Sequence, residues 1–202
     1  ESNQTIDFNL KALNSEALGG VSSLLPSDAV WQQLGEDIDA EAEYDQNGYS
    51  VSLSSDGTVI AIGAPGNDGN GSDAGRVRLY AWDGSSWRQR GADINGEAAD
   101  DLSGGSVSLS SDGSVVAIGA QYNDGNSTDA GHVRLYTWDG SSWLQRGTDI
   151  DDEPWRSGYS VSLSSDGSVV AIGAPWNDAH FGSYSYAGHV RIFTLPPSES
   201  LA

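Results

Sequence analysis

The sequence contains no cysteine and no methionine, a single lysine (Lys11), and only nine basic residues against 29 acidic ones. Without cysteine there are no disulfides, no thiolate nucleophile and no Cys-ligated zinc, although the compartment stays open. With so few cations, and a net charge of −20, the chain lacks the clustered Lys and Arg that neutralise phosphates, which excludes a nucleic-acid partner. An anionic membrane surface is disfavoured for the same reason. No apolar run approaches the roughly 18 residues of a spanning helix, so membrane insertion is not expected, and nothing at the N-terminus reads as a signal peptide. The missing methionine leads to the expectation of a processed or excised segment. What is abundant is glycine, 26 of 202 residues, with charged residues at 19%, the composition of a turn-rich chain that folds.

A repeat organises most of that chain. Ser-Val-Ser-Leu-Ser-Ser-Asp-Gly begins at Ser50, Ser106 and Ser160, and a Trp-x-Gln-x-Gly-x-Asp-Ile run begins at Trp31, Trp87 and Trp143. Self-similarity at a fixed period means one supersecondary unit is copied, and such units bury their apolar faces by stacking on neighbours. In one copy, Gly48 to Ser54 alternates serine with Val51 and Leu53 and reads as strand a. Asp56-Gly57 is a tight turn into strand b, Thr58 to Ala64, whose unbroken apolar run predicts burial on both faces. Strand c is Arg76 to Trp82, and a second Asp83-Gly84 turn leads to strand d, Trp87 to Ile94. The prediction is all-β: propeller blades of four antiparallel strands, three blade repeats per chain.

The third copy ends after strand c, Gly188 to Thr194, and Leu195-Pro196-Pro197-Ser198 reads as a linker opening a tail over 195–202. A spare strand d, Trp31 to Ile38, stands ahead of the first strand a, the arrangement in which an N-terminal strand completes the last blade. Three blades are fewer than the roughly four to eight that close a ring. Two chains exchanging strand d would give a homodimer of six blades, and the alternative is a piece of a longer propeller or larger complex. Residues 1–30 lie outside the repeat; Leu10, Leu13, Ala17 and Leu18 have helical spacing, so an N-terminal arm with a short helix is expected.

Ala61-Ile62-Gly63-Ala64-Pro65 and Ala171-Ile172-Gly173-Ala174-Pro175, with Ala117-Ile118-Gly119-Ala120-Gln121 as a degenerate copy, resemble the Gly-Ala-Pro half of the FG-GAP repeats of integrin α-subunit propellers. Gly75-x-Val77-x-Leu79-Tyr80 is similar to the strand that follows. The resemblance spans 31–194 and implies a β-propeller used for extracellular or cell-surface recognition and adhesion, often with calcium loops. The chain departs from the family in two places. Its Phe-Gly element is reduced to Gly48-Tyr49, Gly104-Gly105 and Gly158-Tyr159, and Ser54-Ser55-Asp56-Gly57 replaces the Asp-x-Asp-x-Asp-Gly calcium hairpin, so that metal site is not carried over.

Meander order puts the b–c and d–a loops at one end of every blade. Most of the acids fall there, among them Asp37, Asp39, Glu41, Asp45, Asp93, Glu97, Asp101, Asp149 and Asp151, so a loop face that attracts cations is expected. Asp68-x-Asn70-x-Ser72-Asp73 and Asp124-x-Asn126-x-Thr128-Asp129 place oxygen ligands at alternate positions, and calcium is the candidate ion; the competing reading is that these side chains cap tight loops. Asn70 and Asn126 also open glycosylation sequons, as does Asn3. One position varies on a constant scaffold, Gly66, Tyr122 or Trp176, and the third copy adds Trp155, His180, Phe181, Tyr184 and Tyr186. Aromatic rings beside carboxylates and amides suit a carbohydrate or protein ligand, and the alternative is rings packing a longer loop. His132 and His189 take the repeat position of Arg76, no catalytic triad is visible, and no enzyme is expected. The sequence therefore points to a recognition or adhesion module, extracellular or at the cell surface, with a structural subunit docked through its N-terminal arm as the alternative.

Overall fold

The computed structural model describes residues 30–125, 127–151, 156–177 and 187–194. The chain divides into two compact units, Glu1–Leu34 and Gly35–Ala202. In the first unit only residues 30–34 are described and carry no regular structure; the helix expected within residues 1–30, and with it the docking role of that arm, lies outside the described residues, as does the tail over 195–202. All strands belong to the second unit, and no helix occurs among the described residues.

Three antiparallel sheets follow one another in sequence. The first contains β1 (Ser50–Leu53), β2 (Val59–Ala64), β3 (Arg76–Trp82), β4 (Trp87–Gln89) and β5 (Ile94–Asn95). The second repeats it as β6 (Ser106–Leu109), β7 (Val115–Ala120), β8 (His132–Trp138), β9 (Trp143–Gln145) and β10 (Ile150–Asp151). Among the described residues the third has three strands, β11 (Ser160–Leu163), β12 (Val169–Ala174) and β13 (His189–Thr194). The a–b turns form as read: the Asp56 carboxylate accepts from the Ser54 and Thr58 hydroxyls and the Thr58 amide, and Asp112 and Asp166 repeat this in the other sheets.

Strand d differs from the expectation. It is broken into β4 and β5, both paired with β3, because four residues, 90–93, stand opposite two in the partner strand. Gly91 (φ 85°) turns the chain inside this bulge, and a Cβ there would lie 2.7 Å from Trp138 and 2.9 Å from Trp143 of the next sheet. The bulge thus seats the neighbouring Trp pair, whose rings meet at a 51° tilt with centroids 5.3 Å apart. The Trp143 indole Nε1 donates to the Arg90 carbonyl at 2.7 Å, and the Arg90 guanidinium lies 4.9 Å from the Trp138 ring centre. The spare segment Trp31 to Ile38 is also not a strand. Trp87 and Trp143 are led into their ladders by Trp-Asp-Gly turns from β3 and β8, and no such turn precedes Trp31. Gly35 nevertheless repeats the role of Gly91, its Cβ position 2.7 Å from Trp82 and 3.3 Å from Trp87.

Consecutive sheets pack face to face. Val59, Ala61, Val77, Leu79 and Ile94 of the first sheet share one core with Val107, Leu109, Val116, Ile118 and Tyr136 of the second. Ala117, Val133 and Leu135 on the second sheet's far side share another with Val170 and Ile172, joined by Val161, Leu163 and Phe193. Equivalent residues therefore differ in exposure by position alone: Val107 and Leu109 are 9% and 7% exposed, whereas Val51 and Leu53 are 59% and 56% exposed. At the other end Val190 and Ile192 are each 69% exposed.

The serines of strand a bind the sheets together. Ser50 Oγ donates to the Gly104 carbonyl at 2.7 Å, and Ser106 Oγ to Gly158 at 2.8 Å. Ser52 Oγ accepts from the Leu109 amide and Ser108 Oγ from Leu163, both at 2.9 Å. The Ser55 amide donates to Ser111 and the Ser111 amide to Ser165, both at 2.8 Å. Gly63 and Gly119 of the Gly-Ala step allow this approach, since a Cβ on either would fall within bonding range of the next sheet's Gly104 or Gly158 carbonyl oxygen.

Candidate functional site

The b–c and d–a loops do run together at one end. The loop after β5 lies along the loop after β2, with the Asp100, Leu102 and Ser103 amides donating to the carbonyls of Ser72, Asp73 and Ala74. Two buried side chains clasp each junction. Asn67 donates from Nδ2 to Asp45 at 2.9 Å and accepts from the Gly69 amide; Asn123 does the same with Asp101 and Gly125. Asp45 and Asp101 also accept amides of their own loops, at Ala42 and at Glu97 and Ala98.

Strand c sends buried cations into these acids. The Arg76 guanidinium contacts Glu41 at 2.6 Å, Asp93 at 3.0 Å and Asp45 at 3.4 Å. Arg78 contacts Glu41 at 3.1 Å and donates to the Asp39 carbonyl, and Arg134 contacts Glu97 at 3.4 Å and donates to the Asn95 carbonyl. The Arg76 hydrogen bond and charge hold the Glu41 carboxyl below its ordinary value. Glu41, Asp45, Asp93 and Glu97 are thus counter-ions for strand-c arginines, an arrangement that a count of charges along the sequence does not reveal.

His132 breaks this pattern. It stands where Arg76 stands, is 1% exposed, and its Nδ1 has no hydrogen-bond partner. Around that atom lie Asp151 Oδ1 at 3.7 Å, and Glu97 Oε2 and Asp149 Oδ2 at 3.8 Å each. Burial, seconded by the charge of Arg134, pushes the imidazole pKa down. From sequence His132 is a repeat residue at the position of Arg76 and nothing more; comparing what surrounds that position in each copy is the signal that singles it out.

The expected ligand residues Tyr122 and Trp176 are brought together. Arg156, at a positive φ of 62°, lies between them, its guanidinium carbon 4.4 Å from the Tyr122 ring centre and 5.0 Å from that of Trp176. Tyr159 meets Trp176 edge-on at 4.7 Å. Trp155, His180, Phe181, Tyr184 and Tyr186 lie outside the described residues.

In the two loops read as oxygen-ligand loops, the aspartates face their own backbone. Asp68 accepts from the Asp73 amide at 2.9 Å and Asp124 from the Asp129 amide at 2.8 Å, with Asp73 and Asp129 in the left-handed region. Asn70 points its Nδ2 at the Gly96 and Glu97 carbonyls. Ser72 gives its carbonyl to Asp100, Thr128 is exposed, and Asn126 lies outside the described residues. The capping reading accounts for these contacts.

Fold and site together define an all-β protein of successive antiparallel sheets whose loops are ion-paired at one end. Within it, residues 39–80 match the FG-GAP repeat, spanning β1, β2 and most of β3 with the d–a loop ahead of them. No curated protein matches the chain. Among solved structures it is similar to a Bacteroides uniformis protein whose name proposes it to be a 6-phosphogluconolactonase, at 17% identity and a TM-score of 0.51, over 87% of this chain and 45% of that one. It is similar at lower scores to Kuenenia stuttgartiensis hydrazine synthase (TM-score 0.42, 11% identity, 68% of this chain and 32% of the other) and to the tricorn protease (0.43, 12%, 73% and 14%). The chain thus spans less than half the length of these structures, and the first likeness is one of fold alone.

Proposed function

We propose that the chain is one half of a β-propeller, three blades closed into a ring of six by a second copy, and that the loop end of this ring is a non-enzymatic recognition surface acting outside the cell or on its surface. The observation that carries the closure is the pair of exposed apolar faces at the two ends of the stack. Val51 and Leu53 lie on the leading face of the first sheet, the face that in the second sheet is buried as Val107 and Leu109. Val190 and Ile192 lie on the trailing side of the third. A leading face meets a trailing face at both internal junctions, so the third sheet of one copy suits the first sheet of another. A cavity of about 320 Å³ beside Arg146, Gly147, Ile150, Val170, Phe193 and Thr194 supports this, because at the preceding junction the matching residues Arg90 and Gly91 hold Trp138 and Trp143. Trp31-Gln32-Gln33-Leu34-Gly35 of the partner copy has the sequence to fill it.

The recognition reading rests on Tyr122, Arg156, Tyr159 and Trp176, an aromatic and cationic cluster on an otherwise anionic end, in which Tyr122 and Trp176 occupy a repeat position that is Gly66 in the first copy. A carbohydrate or an acidic side chain of a protein ligand fits rings flanking a guanidinium. Light scattering of the whole chain tests the assembly: twice 21.1 kDa is expected, with Ile192→Lys reducing it to a monomer, and a monomeric parent refutes the closure. Glycan and cell-surface binding by the parent, lost in Trp176→Ala with the mass unchanged, is expected of the recognition surface. Binding unchanged in Trp176→Ala and Arg156→Ala together refutes it.

A further inference from the structure

The first and second sheets solve the same electrostatic problem with different residues. Arg76, Glu41, Asp93 and Asn95 of the first correspond through the 56-residue repeat to His132, Glu97, Asp149 and Asp151 of the second. With the imidazole neutral, the first set carries one cation against two carboxylates and the second carries three carboxylates and no cation. One positive charge has gone and one negative charge has been added, so the net charge falls by two at a place where a buried side chain still points at the carboxylates. A divalent ion returns that charge.

We propose that Glu97, His132, Asp149 and Asp151 bind a divalent transition-metal ion, which takes the position of the Arg76 guanidinium. The ligand atoms of Glu97, His132 and Asp149 lie within 4.8 Å of one another; Asp151 stands outside that group and is near the imidazole, and Nδ1 is 3.7–3.8 Å from each of the three carboxylates. Those separations are too long for hydrogen bonds. They are a few tenths of an ångström wider than the spacing of about 3.4 Å between ligands held at about 2.1 Å in a tetrahedral site. Two of the acids are already oriented toward the ion. Gln145 Nε2 holds Asp149 Oδ1 at 2.5 Å while Oδ2 faces the imidazole, and Arg134 holds Glu97 Oε1 at 3.4 Å while Oε2 does. Such outer partners fix ligand geometry in metal sites. The carboxylates are partly exposed, which leaves a path for entry. One imidazole and three carboxylates suit Zn²⁺, Mn²⁺ or Co²⁺. Bound there, the ion ties the loop carrying Glu97 to the second sheet, as Arg76 ties the loop carrying Glu41 to the first.

The whole chain, treated with chelator and desalted, is titrated with Zn²⁺ by calorimetry and with Co²⁺ by visible absorbance, with thermal unfolding followed in parallel. One ion per chain is expected, with a rise in unfolding temperature and a Co²⁺ band. His132→Arg combined with Asp151→Asn rebuilds the first sheet's arrangement and so keeps the fold; it is expected to abolish the band and the thermal response. Gln145→Leu, which frees Asp149 to turn away, is expected to weaken binding about 10-fold. The proposal is overturned by an absence of saturable binding, by an undiminished Zn²⁺ isotherm in the rebuilt variant, or by binding of Ca²⁺ alone that survives it.

Discussion

Trp143→Ala tests whether the Trp pair is what locks one sheet to the next. The ring sits on Gly91, meets Trp138 at a tilt with centroids 5.3 Å apart, lies 5.7 Å from the Arg90 guanidinium and donates from Nε1 to the Arg90 carbonyl at 2.7 Å. Truncating a fully buried Trp costs about 3–5 kcal/mol; Trp143 is half-buried, so about half of that, roughly 2 kcal/mol, is appropriate. The hydrogen bond adds about 1 kcal/mol, and the cation–π contact about 0.5 kcal/mol. The expected total is about 3–4 kcal/mol, a large fraction of the whole stability of a domain. In urea, with a slope of about 2 kcal/mol per molar, the midpoint falls by roughly 1.5–2 M. Trp143→Phe keeps most of the ring and loses the N–H, so it should give up only about 1 kcal/mol. Equal losses in the two variants, or less than about 1 kcal/mol for alanine, would refute the idea that this contact locks the junction.

Arg76→Met replaces the guanidinium with an apolar side chain of similar length and strands the buried Asp45 carboxylate with Glu41 and Asp93. A loss of about 3–5 kcal/mol is expected in chemical denaturation, and a neutral result would show that these acids repel one another little. Acid should weaken the fold in a defined window. The Asp56 and Asp166 carboxyls are held at about 2 against an ordinary 3.8, chiefly by the Ser54 and Ser164 hydroxyls and then by the amides of Thr58 and Ser168. Because the folded value lies below the unfolded one, their contribution is complete above about pH 4 and lost as pH falls toward about 2. Urea midpoints across that range should drop, and the drop should shrink in Asp56→Asn with Asp166→Asn; an equal drop in that double variant contradicts the assignment.

The sequence carried strands a, b and c nearly to the residue, because Asp-Gly turns and alternation are local signals that the fold does not override. It carried strand d less well, since the bulge around Gly91 answers to Trp138 and Trp143, which stand in the following repeat. Trp31 to Ile38 has the letters of a strand but not the Trp-Asp-Gly turn that leads Trp87 and Trp143 into their ladders. The acidic end was legible as a count of charges but not as an arrangement, because strand alternation alone does not say that Arg76 and Arg78 both reach the carboxylates of a loop some 35 residues earlier. His132 was legible only by comparing repeat positions: the exchange of Arg for His gains meaning once Asn95 is seen to become Asp151.

The serine bonds between the first strands of the sheets also govern how the molecule comes apart. They join residues 52 to 57 positions distant, whereas contacts within a sheet close over hairpins of a few residues. Each sheet is therefore a locally assembled unit coupled to its nearest neighbours, and stability is shared along a short row rather than across one undivided core. In a single chain, before a second copy covers its two ends, opening begins at the flanks, where a unit is held from one side, and the interior unit opens last. In hydrogen exchange on the monomeric chain, the backbone amides of Val116, Ala117 and Ile118 in the middle sheet are expected to outlast their counterparts Ile60, Ala61 and Ile62, although the strands themselves are almost identical.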